Sequence, residues 1–95
     1  MVLVVVLACS CRHKKNHSLQ ADVFAAGGGF GYTISQQGKI LIKQENIPAV
    51  YGTFPFCDSI DAIKVGNLVV QKIENKQSPA ITTQDLARLK IKTKC

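Results

Sequence analysis

The stretch Phe30–Gln44 reads FGYTISQQGKILIKQ and decides the fold, because two alternating segments flank a turn that contains glycine. Tyr32 and Ile34 fall on one face of the first segment, as the two-residue period of a β-strand requires. The triplet QQG fits a three-residue hairpin loop with glycine at its last position. This loop predicts an antiparallel hairpin with Ile34 opposite Ile40 and Tyr32 opposite Ile42.

A further strand is predicted before this hairpin. Within Ala21–Ala26, Val23 and Ala25 alternate with Asp22 and Phe24, and three consecutive glycines then separate this stretch from the hairpin. The pattern predicts a three-stranded antiparallel meander with strands over Ala21–Ala26, Gly29–Ser35 and Lys39–Gln44.

One long amphipathic helix is predicted over Ser59–Asn75. Asp58 is a favourable N-cap residue, and Asp61 stands three positions later as the acidic residue of a capping box does. Gly66 lies within the apolar stripe, which indicates a close approach of this helix to the sheet. The stripe consists of Ala62, Val65, Gly66, Val69, Val70 and Ile73.

A second, shorter helix is predicted near the end of the chain. Thr82 serves as its N-cap with Asp85 at the third helical position, and three apolar residues face inward: Leu86, Leu89 and Ile91. A chain of 95 residues has room for one domain. We therefore expect a single small α+β domain over residues 21–95, a three-stranded antiparallel meander packed against one long helix, with a short C-terminal helix.

The segment Ile47–Phe56 reads IPAVYGTFPF, and its two prolines and one glycine exclude a helix. It holds half of the six aromatic residues of the chain and no charge. Two interpretations are open. The loop covers the open side of a small core, or it presents a partner surface made of Val50, Tyr51, Phe54 and Phe56.

The amino-terminal residues 1–8 read MVLVVVLA, an uncharged apolar run that is too short to span a bilayer. Its length suits the apolar core of a secretory signal, although no basic residue precedes it. Either the signal is unusually short or the coding sequence starts upstream, and a buried amino-terminal strand is the structural alternative. The motif Val6-Leu7-Ala8-Cys9 resembles the bacterial lipobox, so we expect Cys9 to carry a lipid. The expected location is the bacterial cell envelope, facing the periplasm or the cell surface.

Residues 9–20 follow as a polar segment with three basic residues, which predicts a flexible tether of about 18 Å near the membrane. The segment also contains Cys9, Cys11, His13 and His17, residue types that bind zinc or copper. The Cys-x-Cys spacing is unusual for zinc, and a lipid on Cys9 would remove one ligand. We therefore expect no metal site, and keep metal or redox handling by this segment as the alternative function.

The net charge of +6 comes from the two ends of the chain. Between Gln20 and Asp85 there are five lysines and six acidic residues, so the expected folded part is nearly neutral. Nucleic-acid-binding domains usually carry a basic patch on the folded surface. We therefore expect no nucleic-acid partner, and interpret the basic ends as solvated or in contact with a membrane surface.

The chemical groups of the expected domain do not form a catalytic set. No histidine follows His17, which leaves no Ser-His or Cys-His pair in the folded part. We expect no enzymatic activity and no cofactor, and the sequence identifies no small-molecule substrate. Cys57 and Cys95 are the two thiols of the folded part, and they are the favoured disulfide pair in an oxidising compartment.

A series of short motifs runs through the folded part: Gly31-Tyr32, Ile40-Leu41-Ile42-Lys43-Gln44, Ile47-Pro48-Ala49-Val50, Gly52, Phe56, Asp61-Ala62, Val65 and Lys72-Ile73. The series resembles a family of short bacterial lipoproteins of unknown function, found mainly in anaerobic Gram-negative gut bacteria. The resemblance covers about Phe24–Ile91 and implies an exported α+β domain without an established activity. The leading hypothesis is a lipid-anchored binding or accessory module that contacts the membrane through its lipid and an envelope protein through its domain.

Overall fold

The computed structural model describes residues 18–95, which form three strands and two helices. In chain order these are β1 (Leu19–Ala26), β2 (Gly29–Gln36), β3 (Lys39–Gln44), α1 (Ser59–Glu74) and α2 (Thr83–Arg88). The strands form one antiparallel sheet in the order β1-β2-β3. The predicted α+β fold, with a meander, one main helix and a short C-terminal helix, is confirmed. The signal-like segment, Cys9 and the tether as far as His17 lie outside the described residues.

The turn between β2 and β3 has two residues, so the predicted three-residue loop is wrong. Gln37 and Gly38 both have positive φ angles, 54° and 81°. Positive values at both central positions are typical of a type I′ turn, whose twist matches that of the flanking strands. Gln36 consequently pairs with Lys39 at the end of the hairpin.

The predicted register of this hairpin is also wrong, because a β-bulge at Leu41 shifts the pairing. Ile34 pairs with Ile42, and Ser35 pairs with Ile40. The extra residue offsets the shorter turn and returns Ile42 to the face that carries Ile34. Ile40, predicted to lie opposite Ile34 on the same face, is instead 59% exposed and is not part of the core.

The core lies between one face of the sheet and α1, which contacts β1 and β2. The apolar stripe predicted for this helix is the buried face, with Val70 and Ile73 partly buried at its margin. The buried apolar residues are Tyr32, Ile34, Ile47, Phe56, Ala62, Val65, Val69, Leu86 and Ile91. No helix within residues 18–95 is both long enough and apolar enough to cross a membrane.

Gly66 sits where α1 comes closest to the sheet. A Cβ atom at this position would lie 3.2 Å from the Cβ of Ala21 and 3.4 Å from that of Tyr32. The first distance is tighter than an ordinary van der Waals contact between carbon atoms, and the second is at the lower limit of one. The close approach expected from glycine in the apolar stripe is therefore present.

Both helices begin at the predicted N-cap residues, but only α2 has a complete capping box. The Asp58 side chain accepts a hydrogen bond from the backbone N–H of Asp61 at 2.9 Å. The capping-box role predicted for Asp61 is wrong, because its buried carboxylate accepts a 2.9 Å hydrogen bond from the backbone N–H of Lys92. Thr82 and Asp85 exchange both bonds of a capping box at the start of α2.

Candidate binding surface

The segment Ile47–Phe56 leaves the sheet beyond β3 and is fixed at both ends. The backbone N–H of Ile47 donates to the carbonyl of Phe54 at 2.8 Å. Phe56 and Phe30 exchange two backbone hydrogen bonds of 2.9 and 3.0 Å, which form an antiparallel bridge. The residues between these contacts therefore form a closed loop that is held against the start of β2. We call Ile47–Phe56 the aromatic loop.

Phe56 belongs to the core and is removed from the predicted partner surface. Its side chain is 0% exposed, and its ring centroid lies 6.0 Å from that of Tyr32. The bridge to Phe30 fixes the backbone of Phe56 beside the sheet, so its side chain joins the buried layer. For this residue the core interpretation is correct.

Two other aromatic residues of the same loop are on the surface. Tyr51 is 99% exposed and Phe54 is 55% exposed, whereas Val50 is partly buried and packs against the core. Isolated exposed apolar side chains are common, but two rings on one short loop form a patch. The core interpretation therefore holds for Phe56, whereas Tyr51 and Phe54 have the exposure that a partner surface requires.

The backbone of the aromatic loop contains one unfavourable conformation. Ala49 has a φ angle of 63°, in the left-handed region that disfavours residues with a Cβ atom. Such a conformation costs about 1–2 kcal/mol and persists only where the surrounding contacts impose it. Backbone strain of this kind concentrates at binding and switch segments.

A groove of about 660 Å³ lies between the aromatic loop and the end of the chain. One wall consists of Gly28, Val50, Tyr51, Phe54 and Pro55, and the other of Thr93, Lys94 and Cys95. A second cavity of about 340 Å³ shares Val50 and Thr93 with the first and extends along α2 to Lys90. Because the two cavities share lining residues, we treat them together and call them the loop groove.

The wall formed by the end of the chain is held by a disulfide and by hydrogen bonding. Cys57 and Cys95 are joined across a sequence separation of 38 residues, with their Cα atoms 5.6 Å apart. The hydrogen bond from Lys92 to Asp61 fixes the same segment to the first turn of α1. Lys92 also approaches Asp58, with 3.7 Å between Nζ and the carboxylate. The groove is therefore built from segments that are distant in sequence.

A polar cluster around Asp85 occupies another part of the surface. Lys72 donates to its carboxylate at 2.7 Å and Arg88 at 3.0 Å, and the backbone N–H of Thr82 donates at 3.0 Å. The hydrogen bond from Lys72, together with that from Thr82, holds the pKa of Asp85 well below its usual range. Lys72 also donates to the carbonyl of Ala80 at 2.7 Å. We interpret this cluster as a tie between α1 and α2.

The remaining titratable groups do not suggest a reactive centre. Burial raises the pKa of Tyr32 to about 12, so its hydroxyl stays protonated at physiological pH. Within residues 18–95, no group of three or more His, Cys, Asp or Glu side chains is arranged to hold a metal ion. The four residues of the alternative metal hypothesis, Cys9, Cys11, His13 and His17, lie outside this described part.

A comparison with known protein families assigns the chain to one family. Residues 22–88 match the family described as Domain of unknown function (DUF4907). The chain belongs to the DUF4907 family. No curated protein and no solved structure is similar enough to count as a match. The DUF4907 match includes the aromatic loop and both helices, and it ends before the wall residues Thr93, Lys94 and Cys95.

In this DUF4907 chain, three of the four predicted partner-surface residues meet at one groove. Val50, Tyr51 and Phe54 line the loop groove, whereas Phe56 is in the core and Cys9 is outside the described residues. Sequence reasoning missed the opposite wall, with Thr93 and Lys94. The predicted pairing of Cys57 with Cys95 was the signal that could have brought this segment next to the aromatic loop.

Proposed function

We propose that the chain is a lipid-anchored bacterial cell-envelope protein that works as a binding module without catalysis. In this proposal Cys9 carries the lipid, as the lipobox-like Val6-Leu7-Ala8-Cys9 suggests. The domain is exported to the periplasm or the cell surface, and disulfides such as Cys57–Cys95 persist in such oxidising compartments. The resemblance to short lipoproteins of gut anaerobes supports the same location.

The observation that carries the binding role is the exposure of Tyr51 beside Phe54 on the loop groove. A tyrosine that is 99% exposed adds little to the stability of the domain itself. Aromatic side chains on a backbone that is already ordered are efficient binding anchors, because little conformational entropy is lost when a partner docks. The hydrogen bonds at both ends of the aromatic loop supply that order.

We propose that the domain has no catalytic function because its two buried acidic residues are engaged in hydrogen bonds that stabilise the fold. Asp61 accepts from the backbone of Lys92, and Asp85 is hydrogen bonded to Lys72, Arg88 and Thr82. A general acid or base must be able to exchange a proton with a substrate. Carboxylates engaged in this way are suited to holding the fold together.

Labelling with palmitate and membrane fractionation test the anchor. We expect the wild-type chain to incorporate the label and to sediment with membranes when it is expressed in a Gram-negative host from its complete coding sequence. Cys9→Ser should abolish the label and release the protein, and Cys11→Ser is the matched control that should behave like wild type. A Cys9→Ser variant that keeps its label would overturn the anchoring proposal.

Alanine substitution and photo-crosslinking test the binding surface. Tyr51→Ala and Phe54→Ala should change the free energy of unfolding by less than about 1 kcal/mol, whereas Phe56→Ala should cost about 3–5 kcal/mol. A photoreactive phenylalanine analogue substituted for Tyr51 should form adducts in intact cells, and the same analogue substituted for Gln71 should not. Unfolding of both surface variants, or equal adducts at both positions, would contradict the proposal.

A further inference from the structure

We infer that the loop groove takes an extended, acidic peptide segment of another envelope protein. This inference rests on the proposed binding function and specifies the class of partner. It follows from the shape of the groove, its apolar lining, its charge and its place relative to the point where the chain enters β1.

The shape of the loop groove suits an extended backbone. Its two cavities, of about 660 and 340 Å³, share the lining residues Val50 and Thr93, and the lining of the pair extends from Gly28 in the β1–β2 turn to the surface of α2. A peptide in extended conformation fills such a track and places alternate side chains toward its floor. A compact ligand would occupy only one of the two parts.

The apolar lining provides an anchor point. Tyr51, Phe54 and Pro55 form one wall of the larger cavity. An aliphatic or aromatic side chain of the peptide would be buried between these rings and the disulfide-linked wall, removing apolar surface of both partners from water. The peptide is therefore expected to carry one such side chain near its centre.

Each of the two cavities of the loop groove is lined by one basic residue. Lys94 lines the larger cavity and Lys90 the smaller one, and the residues lining these two cavities of the described chain include no Asp or Glu. Two acidic residues contact this segment at Lys92: Asp61 accepts from its backbone N–H at 2.9 Å, and the carboxylate of Asp58 lies 3.7 Å from its Nζ. Carboxylates on either side of the apolar anchor would complement Lys90 and Lys94. We therefore expect the peptide to carry acidic residues on both sides of its apolar residue.

The position of the groove favours a protein partner over a lipid surface. The chain enters β1 at Leu19, which pairs with Gln36 beside the β2–β3 turn. Gly28, which lines the groove, lies in the turn at the other end of β1. A strand of eight residues spans about 23 Å, so the groove is at the opposite end of β1 from the point where the chain enters the sheet. In the proposed arrangement the lipid is attached through the chain that enters at Leu19, so the groove lies away from the point of attachment.

Selection from a phage-displayed library of random 12-residue peptides, with the full chain as bait, tests the inference. We expect enriched peptides to carry an aromatic or aliphatic residue between two acidic residues. Tyr51→Ser should weaken binding of an enriched peptide about tenfold or more, whereas Ile40→Ser, an exposed apolar residue outside the groove lining, should leave it unchanged. Lys94→Glu should shift the selection toward basic peptides, and Lys39→Glu, with the same change in net charge, should not.

Three results would overturn the inference. If the enriched peptides lack acidic residues, Lys90 and Lys94 do not select the partner by charge. If Tyr51→Ser and Ile40→Ser weaken peptide binding equally, the peptide does not bind in the loop groove. Binding to phosphatidylglycerol vesicles that is lost in Tyr51→Ser, without peptide enrichment, would assign the surface to a membrane. If adducts still form at position 51 in cells while the peptide selection fails, the proposed binding function stands and only the partner class is wrong.

Discussion

Asp85 concentrates more polar interactions than any other single residue discussed above. One carboxylate oxygen accepts from Lys72 and from the backbone of Thr82, and the other accepts from Arg88. The residue is buried, so these bonds are shielded from water and are worth more than bonds on the surface. The same side chain thus caps α2 and ties it to the last turn of α1.

Asp85→Asn is expected to lower the free energy of unfolding by about 3 kcal/mol at pH 7, because it breaks a buried ion pair and a capping box. The hydrogen bonds from Lys72 and Thr82 lower the pKa of Asp85 in the folded state. Its ionised form therefore stabilises the fold above the unfolded pKa of about 3.9, and this stabilisation is lost as the pH falls through the folded-state pKa. The difference between wild type and variant should shrink as the pH falls below about 4.

Urea unfolding at pH 7 and at pH 3 measures this difference. Asp22→Asn is the control, because Asp22 is an exposed acidic residue whose side chain contacts only the nearby Gln20 among the contacts described. It should change the free energy of unfolding by less than about 0.5 kcal/mol at either pH. An Asp85→Asn penalty that does not depend on pH would show that the loss is one of packing alone.

At the scale of the element, α1 is stabilised by the face it turns toward the sheet. Val69 is almost fully buried, and Ile73 is partly buried against the core one turn later. Gln71 is exposed on the opposite face. Because burial of a Val or Ile side chain is worth about 1.5–3 kcal/mol, the two faces should respond very differently to truncation.

Val69→Ala should lower the free energy of unfolding by about 2 kcal/mol and Ile73→Ala by about 1–2 kcal/mol. Gln71→Ala should change it by less than about 0.5 kcal/mol. For a domain of this size, about 1 kcal/mol corresponds to a shift in melting temperature of roughly 4–8 °C, which calorimetry resolves. Equal shifts for Ile73→Ala and Gln71→Ala would contradict the assignment of the buried face.

At the scale of the whole molecule, the Cys57–Cys95 disulfide connects the start of α1 with the final segment. It closes a loop with a sequence separation of 38 residues and brings one wall of the loop groove against the aromatic loop. Linking residues this far apart restricts the unfolded chain, and the chain-entropy account gives about 4 kcal/mol for such a loop. One covalent bond thus contributes both to stability and to the proposed binding surface.

The double variant Cys57→Ser/Cys95→Ser should lower the free energy of unfolding by about 2–4 kcal/mol. Wild-type protein in a strong reductant should lose a similar amount, and the double variant should not respond to the reductant. If the wild type unfolds identically with and without reductant, the bond adds nothing to stability. Peptide binding measured on the folded double variant would separate the effect on the groove from the effect on stability.

The sequence by itself determined the elements and their order. Alternation around Tyr32 and Ile34 indicated a strand, and the recurrence from Ala62 to Val69 indicated the buried face of a helix, because both periods follow from local backbone geometry. The start of each helix was also predictable, since Asp58 and Thr82 act on N–H groups within three residues of themselves. These features depend on neighbours in the chain.

Among residues with similar local sequence, only the tertiary structure decided which side chains are buried and which are exposed. Phe56 and Tyr51 are aromatic residues of one loop, yet the bridge to Phe30 buries the first and leaves the second in water. Asp61 occupies the position of a capping residue but hydrogen bonds to Lys92, 31 residues away. The hairpin register also depended on a bulge that returns Ile42 to the core. In each case the deciding contact joins segments that are distant in sequence. The free energy of such a contact depends on how the whole domain packs, and the periodicity of a short segment carries no information about that packing.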